Sequence, residues 1–147
     1  MSEVYVRLQP IPRDWSGSPL RRSDRHDWNE ISRLVRDAAN CTCRSCGDEP
    51  RVHVHEQWEF DAEERLVQLD DLIVLCQLCH VAVHPTIPPC CGISLREAAL
   101  HYCEAQGIDF EGYVERACEC LYYERATRIK WWSLDLSLCD ELLARGE

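Results

Sequence analysis

No stretch of the 147-residue sequence supplies the roughly 18–20 consecutive apolar residues that a bilayer-spanning helix needs. Residues Met1 to Pro10 also lack the charged, apolar and small-residue succession of a secretory signal. The expectation is therefore a cytoplasmic protein with no membrane contact. Internal repeats and low-complexity tracts are missing too, and the length suits one domain with a moderate core. Lysine is almost absent, a single Lys130 beside 15 arginines. The net charge of −10 lies wholly in residues 59–147, where seven cations meet 17 carboxylates; residues 1–58 balance nine arginines against nine carboxylates. Such a C-terminal half repels polyanions. A nucleic-acid contact is expected instead from Arg13, Arg21, Arg22 and Arg25, which are interleaved with Trp15 and Trp28.

Cysteine, by contrast, is abundant, with 11 residues. In a reducing compartment that points to metal ligands and buried thiols rather than disulfides. Cys43-Arg-Ser-Cys46 and Cys76-Gln-Leu-Cys79, separated by 29 residues, have the spacing of a closed four-thiolate structural zinc site. Gly47 lets the first pair turn tightly, so that amide N–H groups can face the sulfurs. Cys41 is read as a spectator; Cys90, Cys91, Cys103, Cys118, Cys120 and Cys139 lack ligand spacing and are expected to be buried thiols. Four of the six histidines, His53, His55, His80 and His84, lie between or just after the pairs, and a purely structural zinc would need none of them.

The pattern of elements is α+β, organised as 1–40 (strand, arm and helix), 41–89 (zinc core) and 90–147 (helical annex). Alternation over Glu3–Leu8 predicts a short strand, and prolines and glycine make 9–22 an arm. A helix is expected over about Asp24–Ala39, capped by Ser23 or Asp24, with Trp28, Ile31, Leu34, Val35 and Ala38 packing on the zinc core. Arg51–Glu56 reads as a strand with His53 and His55 on one side, followed by a turn at Asp61–Glu64 and a second strand. On a short helix over Cys79–His84, His80 and His84 are one turn apart, a spacing that suits two imidazoles on one metal, and Pro85 ends it. Ser94-x-x-Glu97 is a capping box for a helix to about Gln106. A longer helix is expected over Phe110–Trp132 with Phe110, Val114, Ala117, Leu121 and Tyr122 as its core face, then an extended Leu134–Leu138 and a turn at Asp140–Leu143.

The succession of thiol knuckle, histidine-bearing strand pair and Leu75-Cys76-x-x-Cys79-His80 resembles HNH endonucleases of the zinc-containing ββα-metal, treble-clef-like type. With Trp28 and Trp132–Ser137 in the flanks, it is similar to small stand-alone bacterial members. The resemblance implies His55 as general base for water attacking a phosphodiester, Asp71 orienting it, and His80 and His84 holding a catalytic divalent ion such as Mg²⁺. Val54 stands where the family has a metal-binding Asp or His, and Asp71 where it has Asn. The expected activity is metal-dependent hydrolysis of DNA. The alternative is an inactive zinc module of the same fold, acting as an adaptor that meets a protein through its acidic C-terminal half.

Overall fold

The computed structural model describes residues 5–13, 15, 20, 27–48, 51–89, 92–129 and 131–146. At its centre a β-hairpin joins β1 (Val52–Asp61) to β2 (Leu66–Cys76), antiparallel from Asp61↔Leu66 to Val52↔Cys76. The polar turn is closed by the Glu64 N–H donating to Asp61 Oδ1 at 3.1 Å, with Arg65 in the left-handed region (φ 51°). The register shifts between Gln57 and Trp58, leaving Asp70 as the extra residue of a β-bulge. The bulge reverses the alternation of β2, so Val67 and Leu69 share a face with Leu72 and Val74.

That face is covered by α1 (Trp28–Ala38) and α5 (Ser137–Arg145), and its core joins Ile31 and Val35 to Val54, Trp58, Val67, Val74 and Cys139. The other face carries Ile73 and Leu75 and is covered by α2 (Gln77–Val83), on which α3 (Leu95–Gln106) packs, with α4 (Phe110–Ala126) beyond. A third strand, β3 (Ser133–Asp135), lies parallel to β2 along Leu66–Gln68, giving the order β1-β2-β3. Among the described residues the protein is thus α+β, a three-stranded sheet between helices. No helix among them is long and apolar enough to cross a membrane.

Several expectations change. Residues 5–8 form no strand; Val6 and Leu8 are buried as the alternation implies, but their partners are side chains. The Val6 N–H donates to Gln106 Oε1 at 3.0 Å, and the Tyr102 hydroxyl donates to the Val6 carbonyl. The first helix begins at Trp28, capped by Asp27, whose carboxylate accepts from the Asn29 and Glu30 amides; the expected caps Ser23 and Asp24 lie outside the described residues. Its stripe packs on the sheet face opposite the one that carries the thiols. α4 stops at Ala126, not Trp132. The segment after it returns to the sheet as β3, and the expected closing turn is the full helix α5, which takes in Leu138.

Gln9 ties these layers together from the N-terminal arm. Its amide N–H donates to the Val83 carbonyl at the end of α2 (2.7 Å), while its side chain accepts from the Trp58 N–H (2.9 Å) and donates to the Trp58 carbonyl (3.2 Å). Trp58 borders the bulge, where ladder pairing breaks, and the buried amide supplies the missing partners. Gln9→Ala strands the buried Trp58 N–H and should cost about 1–3 kcal/mol, measured by urea unfolding of the metal-loaded protein.

Candidate metal centres

The backbone gathers the four paired cysteines at the open end of the hairpin. The loop 43–47 folds over β2, with the Arg44 N–H on the Val74 carbonyl (2.8 Å) and Gly47 at φ 81° returning its N–H to the Cys43 carbonyl (2.9 Å). Cys76 ends β2 and caps α2, its sulfur accepting the Cys79 N–H at 3.4 Å. The Asp48 N–H reaches Cys46 Sγ at 3.5 Å. The sulfurs of Cys43, Cys46, Cys76 and Cys79 lie within 4.8 Å of one another. A tetrahedral site with Zn–S near 2.3 Å has S···S edges of about 3.8 Å, and Cys46 and Cys76 stand 3.6 Å apart, too far for a disulfide. The group is compatible with structural zinc. Burial pushes the Cys46 thiol up to about 12, and the Cys79 thiol is raised by its sulfur neighbours, whereas hydrogen bonds from Cys76 and Cys79 hold Cys43 far below the usual thiol range. Such crowding of thiols favours a cation that can hold them as thiolates.

Cys41 is exposed and stands apart from the group, in the left-handed region at φ 51°. Cys103, Cys120 and Cys139 are buried free thiols, Cys118 is exposed contrary to expectation, and Cys90 and Cys91 lie outside the described residues. His101, which no spacing singled out, places Nε2 3.8 Å from Cys76 Sγ. It also groups with Cys46 and Asp48, but Cys46 already belongs to the thiol cluster, so this is a flank of that site.

The second gathering is of imidazoles. His55 faces α2 from β1, opposite Ile73 in the register, while His80 lies in the last turn of α2 and His84 caps its end. Ring centroids are 5.3 Å apart for His55–His80, 4.9 Å for His55–His84 and 5.1 Å for His80–His84, and one nitrogen from each ring lies within 4.8 Å of the others. His55 is buried, and neither ring nitrogen has a hydrogen-bond partner among the described residues; His84 Nδ1 is likewise buried and unpartnered among them. Desolvation, then the facing His84 and His80, hold His55 well below the usual imidazole range, and burial lowers His84 to about 4. Neutral rings with orphaned nitrogens are the form that coordinates metal. An all-imidazole donor set suits Zn, Ni, Cu or Fe and fits the expected Mg²⁺ poorly, because Mg²⁺ takes oxygen ligands.

Other expected residues fall differently. The Asp71 carboxylate accepts from Arg44 (3.0 Å) and from the Leu72 amide (2.8 Å) and touches no histidine, so it does not orient His55. Val54 faces the opposite core against Val74, because strand alternation turns it away from His55. His53 is exposed, its ring 5.7 Å from that of His80. Arg21, Arg22 and Arg25 lie outside the described residues. Arg13 lines a cleft of about 460 Å³ that opens beside the histidines, together with Gln9, Trp15, Glu56 and Glu124. Gln9 and Glu124 come from opposite ends of the chain, and no local pattern could have nominated them.

No protein-family model, curated protein or solved structure matches the chain.

Elemental analysis should find about one zinc held through the thiols, and Cys46→Ser or Cys79→Ser should abolish the cooperative unfolding transition, whereas His80→Ala should retain it. Asp71→Ala removes a half-exposed ion pair and the carboxylate's hydrogen bond from the Leu72 amide, and should lower stability by about 1–2 kcal/mol in the same denaturation measurement.

Proposed function

We propose that the protein is a metal-dependent endonuclease of the HNH type, hydrolysing phosphodiester bonds in DNA, with a treble-clef-like ββα-metal core held by zinc on Cys43, Cys46, Cys76 and Cys79. The observation that carries this reading is the convergence of His55, His80 and His84, with orphaned nitrogens on a buried ring, beside a cleft that also presents Arg13. Hairpin and helix follow one another without a break, as that core requires.

In this reading His55 is the third metal ligand, not the general base that its motif position implied. A divalent ion on three imidazoles would leave a position for water, lower its pKa and neutralise the departing alkoxide. The chain's own contributions are then distinct. Arg13 draws a phosphate into the cleft. Glu56, which alternation puts on the Trp58 side of β1, lines the same cleft as the histidines. Its carboxylate, held by the Trp58 indole N–H at 3.2 Å, would accept the proton from the attacking water there. Trp15 and Trp58, packed edge to face at 5.6 Å, wall the cleft with apolar surface.

A second reading, the adaptor, is favoured by the exposed apolar face of α4. Phe110, Val114 and Leu121 line a groove of about 380 Å³ with Leu95 and Ala99 of α3.

Supercoiled plasmid should be nicked with Ni²⁺, Co²⁺ or Zn²⁺ and much more slowly with Mg²⁺. His55→Ala and His80→Ala should lose both cleavage and Co²⁺ absorption at the second site, whereas Glu56→Gln should keep the Co²⁺ spectrum and lose about 10²–10⁴-fold in rate. Equal nicking by wild type and His80→Ala, or none with any of these ions, sinks the nuclease and leaves the adaptor.

A further inference from the structure

The end of α4 and the segment after it carry a feature that the hydrolytic site does not use. Residues 125–134 read Arg-Ala-Thr-Arg-Ile-Lys-Trp-Trp-Ser-Leu, three cations and no carboxylate, within the acidic half of the chain. Its two tryptophans have opposite surroundings. Trp132 is an anchor: its indole N–H donates to the Ile129 carbonyl at 3.1 Å, and its ring packs against Phe60 at 5.4 Å. Trp131 beside it is 81% exposed, and Tyr122 in the last turns of α4 is 75% exposed. Arg125 is one helical turn beyond Tyr122 and shares its face. Arg125 and Arg128 are exposed, and neither makes an ion pair with a described residue. Glu124, in the same turn, lines the histidine cleft, so the cleft wall and this surface meet at the end of α4.

Two exposed aromatic side chains that flank two uncommitted arginines along the chain match unpaired bases and the phosphates that link them. A duplex fits less well. Its bases have no free face, and its doubled phosphate density would meet the acidic ridge of Glu111, Glu115 and Glu119, spaced four apart along α4. We propose that Tyr122, Arg125, Arg128 and Trp131 form a platform for single-stranded nucleic acid, on which unpaired bases stack while the arginines hold the backbone. This rests on the phosphodiesterase reading for its class of substrate and narrows it to single-stranded or frayed ends delivered to the cleft.

Binding tests the platform separately from cleavage. Fluorescein-labelled oligodeoxythymidine of about 12 nucleotides, comparable with the site of one single-strand-binding fold, is titrated with the full-length zinc-loaded protein without added divalent ion. Anisotropy is the readout, beside a blunt duplex of equal length. The single strand should bind at least about tenfold more tightly than the duplex, with quenching of tryptophan fluorescence. Trp131→Ala should weaken binding about tenfold and Trp131→Phe should restore most of it. Arg125→Gln with Arg128→Gln should lower the slope of log affinity against log salt by about 1.4. These side chains are exposed, so the variants keep the fold. Unchanged affinity in Trp131→Ala, preference for the duplex, or binding to phosphatidylserine vesicles with none to the oligonucleotide would each overturn the platform. If the oligonucleotide binds as described but plasmid is never nicked, the platform stands and the nuclease falls; the converse pair of results keeps the nuclease and removes the platform.

Discussion

Cys76 belongs to three structures at once: it is the last residue of β2, the cap of α2 and one of the four gathered thiols. Its sulfur takes the Cys79 amide at 3.4 Å, which starts the helix in the same place that the thiols close. From there α2 runs seven residues, about 10 Å, to His80 and His84. A short helix of this length does not hold itself together in water. Its beginning is tied to the sulfur cluster and its end is held from outside, by Gln9 on the Val83 carbonyl and by the Tyr113 hydroxyl on the Ala82 carbonyl at 2.7 Å. The imidazoles of His80 and His84 are therefore placed by the thiol cluster at one end of α2 and by Gln9 and Tyr113 at the other.

The two clusters differ in what they demand of solvent. Three of the four crowded thiols, Cys46, Cys76 and Cys79, are held above the usual thiol range, and a cation bound among them would compensate and so couple its binding to folding. Burial favours the neutral form of His55 and His84, yet it leaves His55 with two nitrogens that nothing among the described residues satisfies. An unsatisfied buried donor or acceptor costs on the order of 1–3 kcal/mol, and the His55 and His84 rings concentrate that cost where a ligand would relieve it. The thiol cluster and the imidazole cluster are thus separated by chemistry as well as by position.

α4 shows how a tertiary contact overrides a sequence pattern. Its helical periodicity nominated Phe110, Val114, Leu121 and Tyr122 for the core, but these are exposed, and Tyr113 and Cys120 are buried instead. The helix is turned because the Tyr113 hydroxyl reaches a carbonyl at the end of α2 and its ring packs edge to face on Tyr102 at 5.8 Å. A phenol that satisfies an orphan helix carbonyl outweighs an apolar stripe. The stripe is left on the surface to line the groove with α3, and Glu124 at the other end of the helix is left to line the cleft.

Features that depend on near neighbours were legible in the chain itself. Two Cys-x-x-Cys pairs, the i, i+4 histidines, the turn at Asp61–Glu64 and the Ser94–Glu97 cap each rest on contacts a few residues apart, and each lies within such an element of the fold. What needed the third dimension was set by packing between distant segments. The bulge at Asp70 decides which face Val67 and Leu72 share, and alternation in β1 turns Val54 away while bringing His55 onto α2. Asp71 goes to Arg44 because the knuckle crosses β2 there. Gln9 and Glu124, 115 residues apart, meet at one cleft. Local chemistry names the donors; only the fold decides which of them face the same point, because facing depends on strand register and helix rotation, and neither is written in spacing.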